Sequence, residues 1–121
     1  MAVRIVKLSQ YLTDNKKEYI LSKQLLRCGT SIGANIREGQ NAESRADFIY
    51  KLAIAQKKSS ETIYWLELLE ATGYLSKREF DSINVDAVSV IRILTKILKS
   101  TKNAQTNTNN QQLITNKKCL K

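Results

Sequence analysis

No proline occurs anywhere in this 121-residue chain, and it contains only four glycines. Because proline removes a backbone hydrogen-bond donor and clashes with the preceding turn, its absence leaves long helices free of internal breaks. Apolar residues recur at helical spacing, and a chain of this length has room for one domain with a single core. The sequence therefore predicts an all-α domain.

Four amphipathic segments lie between short polar breaks. Ser44 is suited to cap the third segment, Gly73 to end it, and Ser76 with Glu79 forms a capping box that opens the fourth. Short connections favour antiparallel neighbours, so we expect an up-down-up-down four-helix bundle. The expected helices cover about residues 2–13, 18–40, 44–72 and 76–100.

The last 21 residues differ from the rest in composition, because Asn, Gln and Thr dominate them. They contain four basic and no acidic side chains, whereas the first 100 residues contain 16 basic and 11 acidic ones. Such a polar segment buries too little apolar surface to offset the entropy of ordering it. We expect a bundle over residues 1–100 and a flexible tail without secondary structure over residues 101–121.

Several classes of function are disfavoured by composition. No apolar run reaches the roughly 18 residues of a membrane span, and Arg4 and Lys7 interrupt the N-terminal apolar residues, so a cytoplasmic location is expected. Histidine is absent, which removes the usual general base and metal ligand. We therefore expect no enzyme activity, metal or cofactor, and reduced thiols at Cys28 and Cys119.

Two helices carry basic residues opposite their apolar stripe, and basic faces of this kind are candidate nucleic-acid contacts. A solvated surface is the alternative explanation for both of them. The sequence does not decide whether the two faces lie side by side. The residues are Lys23, Arg27 and Arg37 on the second helix, and Arg92, Lys96 and Lys99 on the fourth.

The third helix has a second apolar face on the side away from its core stripe. An aromatic and aliphatic patch edged by charge is typical of protein interfaces, so it is a candidate surface for self-association or for a partner protein. Cover by the first helix or the tail, and stacking on nucleic-acid bases, are alternatives. The patch consists of Tyr50, Ile54, Tyr64, Trp65 and Leu68.

Two glycines in the middle of the second helix require an explanation, because each costs roughly 1 kcal/mol relative to alanine in a helix. Gly29 and Gly33 are four residues apart and lie beside Cys28 and Ile32. This spacing predicts a groove of small residues where another helix approaches closely.

Polar residues border the core stripe of the same helix. Ser31 and Asn35 are placed to hydrogen-bond across to the third helix near Ser59 and Glu61, which would fix the register of the two helices. The alternative to this structural role is a catalytic pair formed by Glu38 and Glu61, and the lack of histidine argues against it.

The stretch LLRCGTSIGANIREGQNAESRADFIYKLAIAQKKSSETIYWLELLEATGYLS resembles the central block of a known family. The family comprises four-helix-bundle proteins encoded by intervening sequences within bacterial large-subunit ribosomal RNA genes. The resemblance covers residues from Val3 to about Lys99. It is carried by Leu26 and Arg27, Ser31 and Ile32, Asn35 and Ile36, Glu38 and Gly39, then Phe48, Ala53 to Ala55, Glu61, and Trp65 to Leu68.

The resemblance implies a small cytoplasmic bundle that assembles into a ring-like homopentamer and has no known catalytic activity. A related branch of the family serves as the accessory protein of diversity-generating retroelements, binding the reverse transcriptase and its template RNA through a basic surface. The expected function is thus a non-enzymatic homo-oligomer that binds RNA, DNA or a ribonucleoprotein, with an adaptor for a protein such as a reverse transcriptase as the alternative. The chain departs from the family pattern at both ends, with a first helix a turn or two shorter and a polar tail.

Overall fold

Four helices make up the protein, and their bounds follow from a computed structural model that describes the backbone of residues 1–119 and the side chains of residues 1–104. The described residues contain no β-strand, so the all-α prediction is confirmed. The helices are α1 (Ala2–Asp14), α2 (Leu21–Gln40), α3 (Arg45–Ala71) and α4 (Lys77–Cys119).

The helices form the predicted bundle, with α1 packed on α2, α2 on α3, and α3 on α4. An ion pair between Arg4 and Asp86, with an N–O distance of 2.6 Å, joins α1 to α4 and closes the cycle. Two apolar clusters fill the interior. The first consists of Ile5, Leu12, Leu25, Leu66, Leu69, Leu75, Ile83 and Ala87, and the second of Ile32, Leu52, Ala55, Leu94 and Leu98.

The turn between α1 and α2 is held by a buried carboxylate. Lys17 has a positive φ of 53°, and this turn points the side chain of Glu18 at the start of α2. The carboxylate of Glu18 accepts hydrogen bonds from the backbone N–H groups of Ile20, Leu21 and Ser22 at 3.0, 2.9 and 2.7 Å. Residue 18 therefore caps α2, and the prediction that the helix begins there was three residues early.

The caps predicted for α3 and α4 are confirmed. The hydroxyl of Ser44 accepts the N–H of Asp47 at 3.1 Å, and Gly73 adopts a positive φ of 84° just after α3. In the capping box, the N–H of Glu79 donates to the hydroxyl of Ser76 at 3.1 Å, and the N–H of Ser76 donates to the carboxylate of Glu79 at 2.9 Å.

The fourth helix does not end near Ser100 as predicted, because α4 continues to Cys119. Asn, Thr and Gln lower helix propensity by at most roughly 0.7 kcal/mol each, but only glycine and proline interrupt the backbone hydrogen bonds strongly, and neither occurs after Gly73. The prediction of a tail without secondary structure was therefore wrong up to Cys119. The flexibility of residues 101–121 stays a prediction, and Leu120 and Lys121 lie outside the described residues.

Only one of the two glycines singled out in α2 serves the predicted close packing. A Cβ atom at Gly29 would lie 2.7 Å from Cγ2 of Ile5, so α1 packs directly on the bare backbone there. At Gly33, a Cβ atom would meet nothing within 4 Å. Gly39, which the sequence analysis did not single out, has the same role towards α3, since a Cβ atom there would lie 2.6 Å from Leu52.

Candidate nucleic-acid interface and partner-binding face

The basic face predicted on α2 is present on the surface. Lys23, Arg27 and Arg37 are all exposed, and none takes part in an ion pair among residues 1–104. The rise of a helix is about 1.5 Å per residue, so Lys23 and Arg27 are about 6 Å apart along the axis and Arg37 is about 15 Å further on. The three cations therefore share one broad face of α2.

The basic face on α4 is more compact. Arg92, Lys96 and Lys99 are exposed, recur every three or four residues along one side of the helix, and have no ion-pair partner in the described part of the chain. Asp86 is the last acidic residue, and residues 87–121 contain seven basic and no acidic side chains. Residues 1–86 contain 13 basic and 11 acidic side chains, so most of the net charge of +9 belongs to α4 and the residues after it.

The two basic faces do not merge into one surface. Since the helices pack in the cyclic order α1, α2, α3 and α4, α2 and α4 occupy diagonal corners of the bundle. Their outward faces are separated by α1 on one side and by α3 on the other. The question that the sequence left open is answered by this packing order: one protomer offers two separate cationic strips.

The second apolar face of α3 is only partly exposed. Tyr50 and Tyr64 are 61% and 55% exposed, whereas Ile54, Trp65 and Leu68 are half-buried. Trp65 packs against the core, stands edge-on to the ring of Tyr64 with 5.0 Å between ring centroids, and donates its indole N–H to Glu61 at 3.4 Å. Because α1 packs chiefly on α2, it leaves the two tyrosines uncovered.

The predicted hydrogen bonds from Ser31 and Asn35 to α3 were wrong. The amide of Asn35 donates to the carbonyl of Ser31 in its own helix at 2.8 Å, and the buried hydroxyl of Ser59 donates to Ala55. A polar side chain in a helix can donate a hydrogen bond to the backbone carbonyl one turn earlier, and this bond requires no residue of a neighbouring helix.

Other side chains link α2 to α3. The thiol of Cys28 lies 3.0 Å from the hydroxyl of Thr62 and donates to the carbonyl of Lys58 at 3.0 Å, and Glu38 pairs with Lys51 at 2.9 Å. Burial raises the pKa of the Cys28 thiol despite the hydrogen bond to Thr62, so this free cysteine is protonated at neutral pH. The side chain of Cys119 lies outside the described side chains.

No carboxylate pair forms between Glu38 and Glu61. Glu38 is bound to Lys51 and Glu61 to Lys58, each in its own ion pair. Lys51 and Glu61 are ten residues apart on α3, which is about 15 Å along the axis. General acid and base catalysis by two carboxylates requires a much shorter separation, so this geometry disfavours the catalytic alternative.

The described residues contain no cluster of His, Cys, Asp and Glu side chains that could hold a metal ion, and none of the described helices is long and apolar enough to cross a membrane. One exposed apolar position was not predicted from the sequence. The apolar side of α4 is wide, and Ile93 on it is 58% exposed. The width of the apolar stripe on α4 was the signal that could have indicated it.

Comparison with known proteins returned a family and a structure. Residues 1–96 match the model of the 23S rRNA-intervening sequence protein family. A crystal structure of a protein with unknown function from the S23 ribosomal protein family of Bacteroides thetaiotaomicron is similar, with 54% sequence identity and a TM-score of 0.80. The match covers 81% of this chain and 91% of that one. No curated protein matches at a significant level.

Proposed function

From the premise that the chain belongs to the 23S rRNA-intervening sequence protein family, we propose that it is a non-enzymatic, cytoplasmic homo-oligomer that binds RNA or a ribonucleoprotein through its basic helix faces. The main contact is the α4 strip, which we define as Arg92, Lys96 and Lys99. The α2 strip, defined as Lys23, Arg27 and Arg37, is the second contact.

The observation that carries this proposal is the separation of charge along the chain. Acidic side chains in residues 1–86 nearly balance the basic ones, and the ion pairs of Glu38 with Lys51 and of Lys58 with Glu61 lie between α2 and α3 and within α3. After Asp86 the sequence contains seven basic side chains and no acidic one. A helix face with cations every three or four residues presents a row of positive charge to a phosphate backbone, and each phosphate contact releases a condensed counterion.

Assembly would raise the affinity of such a modest surface. Three cations per protomer make a weak site, but a ring repeats the α4 strip around its axis, so one RNA strand can contact several copies. The family resemblance supports a homopentamer. Light scattering during size-exclusion chromatography tests this part of the proposal, with a mass of several protomers expected and a monomer counting against it.

The experiment that locates the RNA site compares two triple variants with the same change in charge. One reverses the α4 strip by Arg92→Glu, Lys96→Glu and Lys99→Glu. The control changes three other exposed lysines, Lys7, Lys16 and Lys77, to glutamate. Binding of a fluorescent single-stranded RNA is measured by anisotropy, and circular dichroism confirms that both variants are folded.

Loss of the α4 strip should weaken binding on the order of tenfold or more at low salt, because three phosphate contacts become repulsive. The control should change affinity much less. Equal losses in both triples would mean that only net charge matters, and this would overturn the assignment to α4. A third variant, Arg27→Glu with Arg37→Glu, measures how much the α2 strip contributes to the affinity for RNA.

A second candidate function is supported by the exposed aromatic face of α3. Tyr50 and Tyr64 present two large rings to solvent beside the half-buried Trp65, an arrangement found at protein interfaces. Here the protein would be an adaptor for a polymerase such as a reverse transcriptase. Co-purification with a co-expressed reverse transcriptase that is lost in Tyr50→Ala with Tyr64→Ala, while RNA affinity persists, would favour this function. Tyr19→Ala, at a tyrosine that is 57% exposed elsewhere, is the matched control.

A further inference from the structure

The outer side of α3 carries a regular row of residues that lies outside the two apolar clusters of the interior. Successive members of the row are alternately four and three residues apart. This spacing averages 3.5 residues, the repeat that keeps one stripe of a helix facing a second helix along a coiled coil. A second helix can therefore pack along the row over about 27 Å. We define this α3 row as Tyr50, Ile54, Lys57, Glu61, Tyr64 and Leu68.

The α3 row is accessible and its aromatic rings are held in place. Tyr50 and Tyr64 are 61% and 55% exposed, and each ring contacts the residue that follows it. The ammonium of Lys51 lies 5.8 Å from the centroid of the Tyr50 ring, and Trp65 stands edge-on to Tyr64 at 5.0 Å. Because the neighbouring side chains already restrict both rings, less side-chain entropy is lost when a second surface packs on them.

The order of residue types in the α3 row is complementary to its own reverse. From the N-terminal end, the row contains two apolar residues, a lysine, a glutamate and two more apolar residues. The spacing is the same from both ends. When a second copy of α3 lies antiparallel to the first, each lysine faces a glutamate and each apolar residue faces another apolar one. The facing pairs are Lys57 with Glu61, Ile54 with Tyr64, and Tyr50 with Leu68.

The charges at the centre of the row favour this antiparallel pairing. Lys57 is exposed and has no ion-pair partner among residues 1–104. Glu61 has only long contacts in its own chain, at 3.4 Å to the ammonium of Lys58 and 3.4 Å to the indole N–H of Trp65, so its carboxylate can accept a further hydrogen bond. The contact with Glu61 also offsets the repulsion between the two copies of Lys58.

The same charges disfavour the other arrangements. In a parallel pair with the same register, Lys57 would face Lys57 and Glu61 would face Glu61, which is repulsive. A different protein would need the same apolar spacing and a glutamate and a lysine in the reverse order. The chain itself supplies that surface, as an isologous contact requires.

We propose that two copies of this chain associate through their α3 rows, antiparallel about a two-fold axis. The proposal rests on the homo-oligomer of the proposed function but not on RNA binding. A two-fold contact is closed, so it joins two protomers or two rings and does not itself build a ring. A polymerase that docks on Tyr50 and Tyr64 competes with the second copy for this face.

The test reverses the two charges in separate variants, Lys57→Glu and Glu61→Lys. Each is treated with nuclease, and its mass is measured by light scattering during size-exclusion chromatography over a series of concentrations. The controls are Lys7→Glu and Glu43→Lys, which make the same changes in charge at exposed residues outside the α3 row. Circular dichroism checks that all four variants are folded.

Each row variant should have half the mass of the parent protein, because like charges then face each other twice across the contact. Both controls should keep the mass of the parent. An equal mixture of Lys57→Glu and Glu61→Lys should regain the parent mass. In that mixture, the introduced glutamate faces the introduced lysine, and the original Glu61 of one variant faces the original Lys57 of the other.

Three results would overturn the proposal. The first is a parent protein that is monomeric at every concentration, and the second is a row variant with the mass of the parent. The third is a mixture that stays dissociated, which would show that Lys57 and Glu61 do not face each other across two copies. Anisotropy with single-stranded RNA on the same samples keeps the two proposals apart. A parent that self-associates through the α3 row without binding RNA would contradict only the RNA-binding function, whereas an RNA-binding oligomer insensitive to both charge reversals would contradict only the α3 contact.

Discussion

Gly29 and Gly33 lie one turn apart in α2, and the structure predicts opposite effects when each is replaced by alanine. Both substitutions remove the cost of a glycine in a helix, which is about 1 kcal/mol. At Gly33 the new methyl group meets nothing within 4 Å, so Gly33→Ala should stabilise the protein by about that amount.

Gly29→Ala introduces a methyl group 2.7 Å from Cγ2 of Ile5, a fully buried, β-branched side chain with little freedom to move. Overpacking of this kind costs about 1 to 3 kcal/mol, which exceeds or cancels the helix gain. The free energies of unfolding of the two variants should therefore differ by about 1 to 3 kcal/mol, with Gly33→Ala the more stable.

Urea unfolding followed by circular dichroism measures both variants against the parent protein. A cycle with Ile5→Ala supplies the control: in the Gly29→Ala background the truncation should cost less than it does alone, because the added methyl group fills part of the space. Equal shifts for Gly29→Ala and Gly33→Ala, or additive effects in the cycle, would refute the packing of α1 on Gly29.

Two further predictions concern the helix caps. Burial by itself raises the pKa of Glu18, but the backbone N–H bonds from Leu21, Ser22 and Ile20 outweigh it, so the pKa lies below its ordinary value of 4.5. The charged form thus stabilises the fold above that pH, and this contribution is lost as the pH falls through the lowered pKa. Glu18→Gln should lower the free energy of unfolding by about 1 to 3 kcal/mol at neutral pH. In urea titrations at several pH values, the free energy of unfolding of this variant should also fall less on acidification than that of the parent protein. An equal fall in both proteins would contradict the role of the carboxylate. Ser76→Ala should cost about 0.5 to 2 kcal/mol in thermal unfolding by removing half of the capping box, and a loss no greater than that of the exposed Ser60→Ala would argue against it.

Local signals made the helices and most of their ends predictable. Ser44, Gly73, Ser76 and Glu79 act through residues within four positions, so their sequence context was enough. The start of α2 was misplaced because Glu18 caps the helix only through the left-handed turn at Lys17, a conformation that lysine rarely adopts.

Features that depend on two helices could not be read in the same way. The different roles of Gly29 and Gly33 depend on where α1 lies, and helical spacing alone made them equivalent. The polar border of α2 was assigned partners in α3, whereas Asn35 bonds within its own helix. The prediction of a separate tail after Ser100 also concealed the segment without acidic residues, which begins after Asp86. Residues on both sides of Ser100 lie on one continuous helix, α4.

The central claim is that RNA binds to this protein mainly through phosphate contacts, and the dependence of affinity on salt tests it most directly. Anisotropy titrations of the untagged protein with a single-stranded RNA are repeated over a range of salt concentrations and with RNAs of different sequence. Three phosphate contacts by one α4 strip give a slope of about −2 in a plot of log affinity against log salt, and several protomers on one strand make it steeper. The account predicts such a slope with little dependence on base sequence. An affinity that does not change with salt, or no measurable binding at low salt, would contradict it.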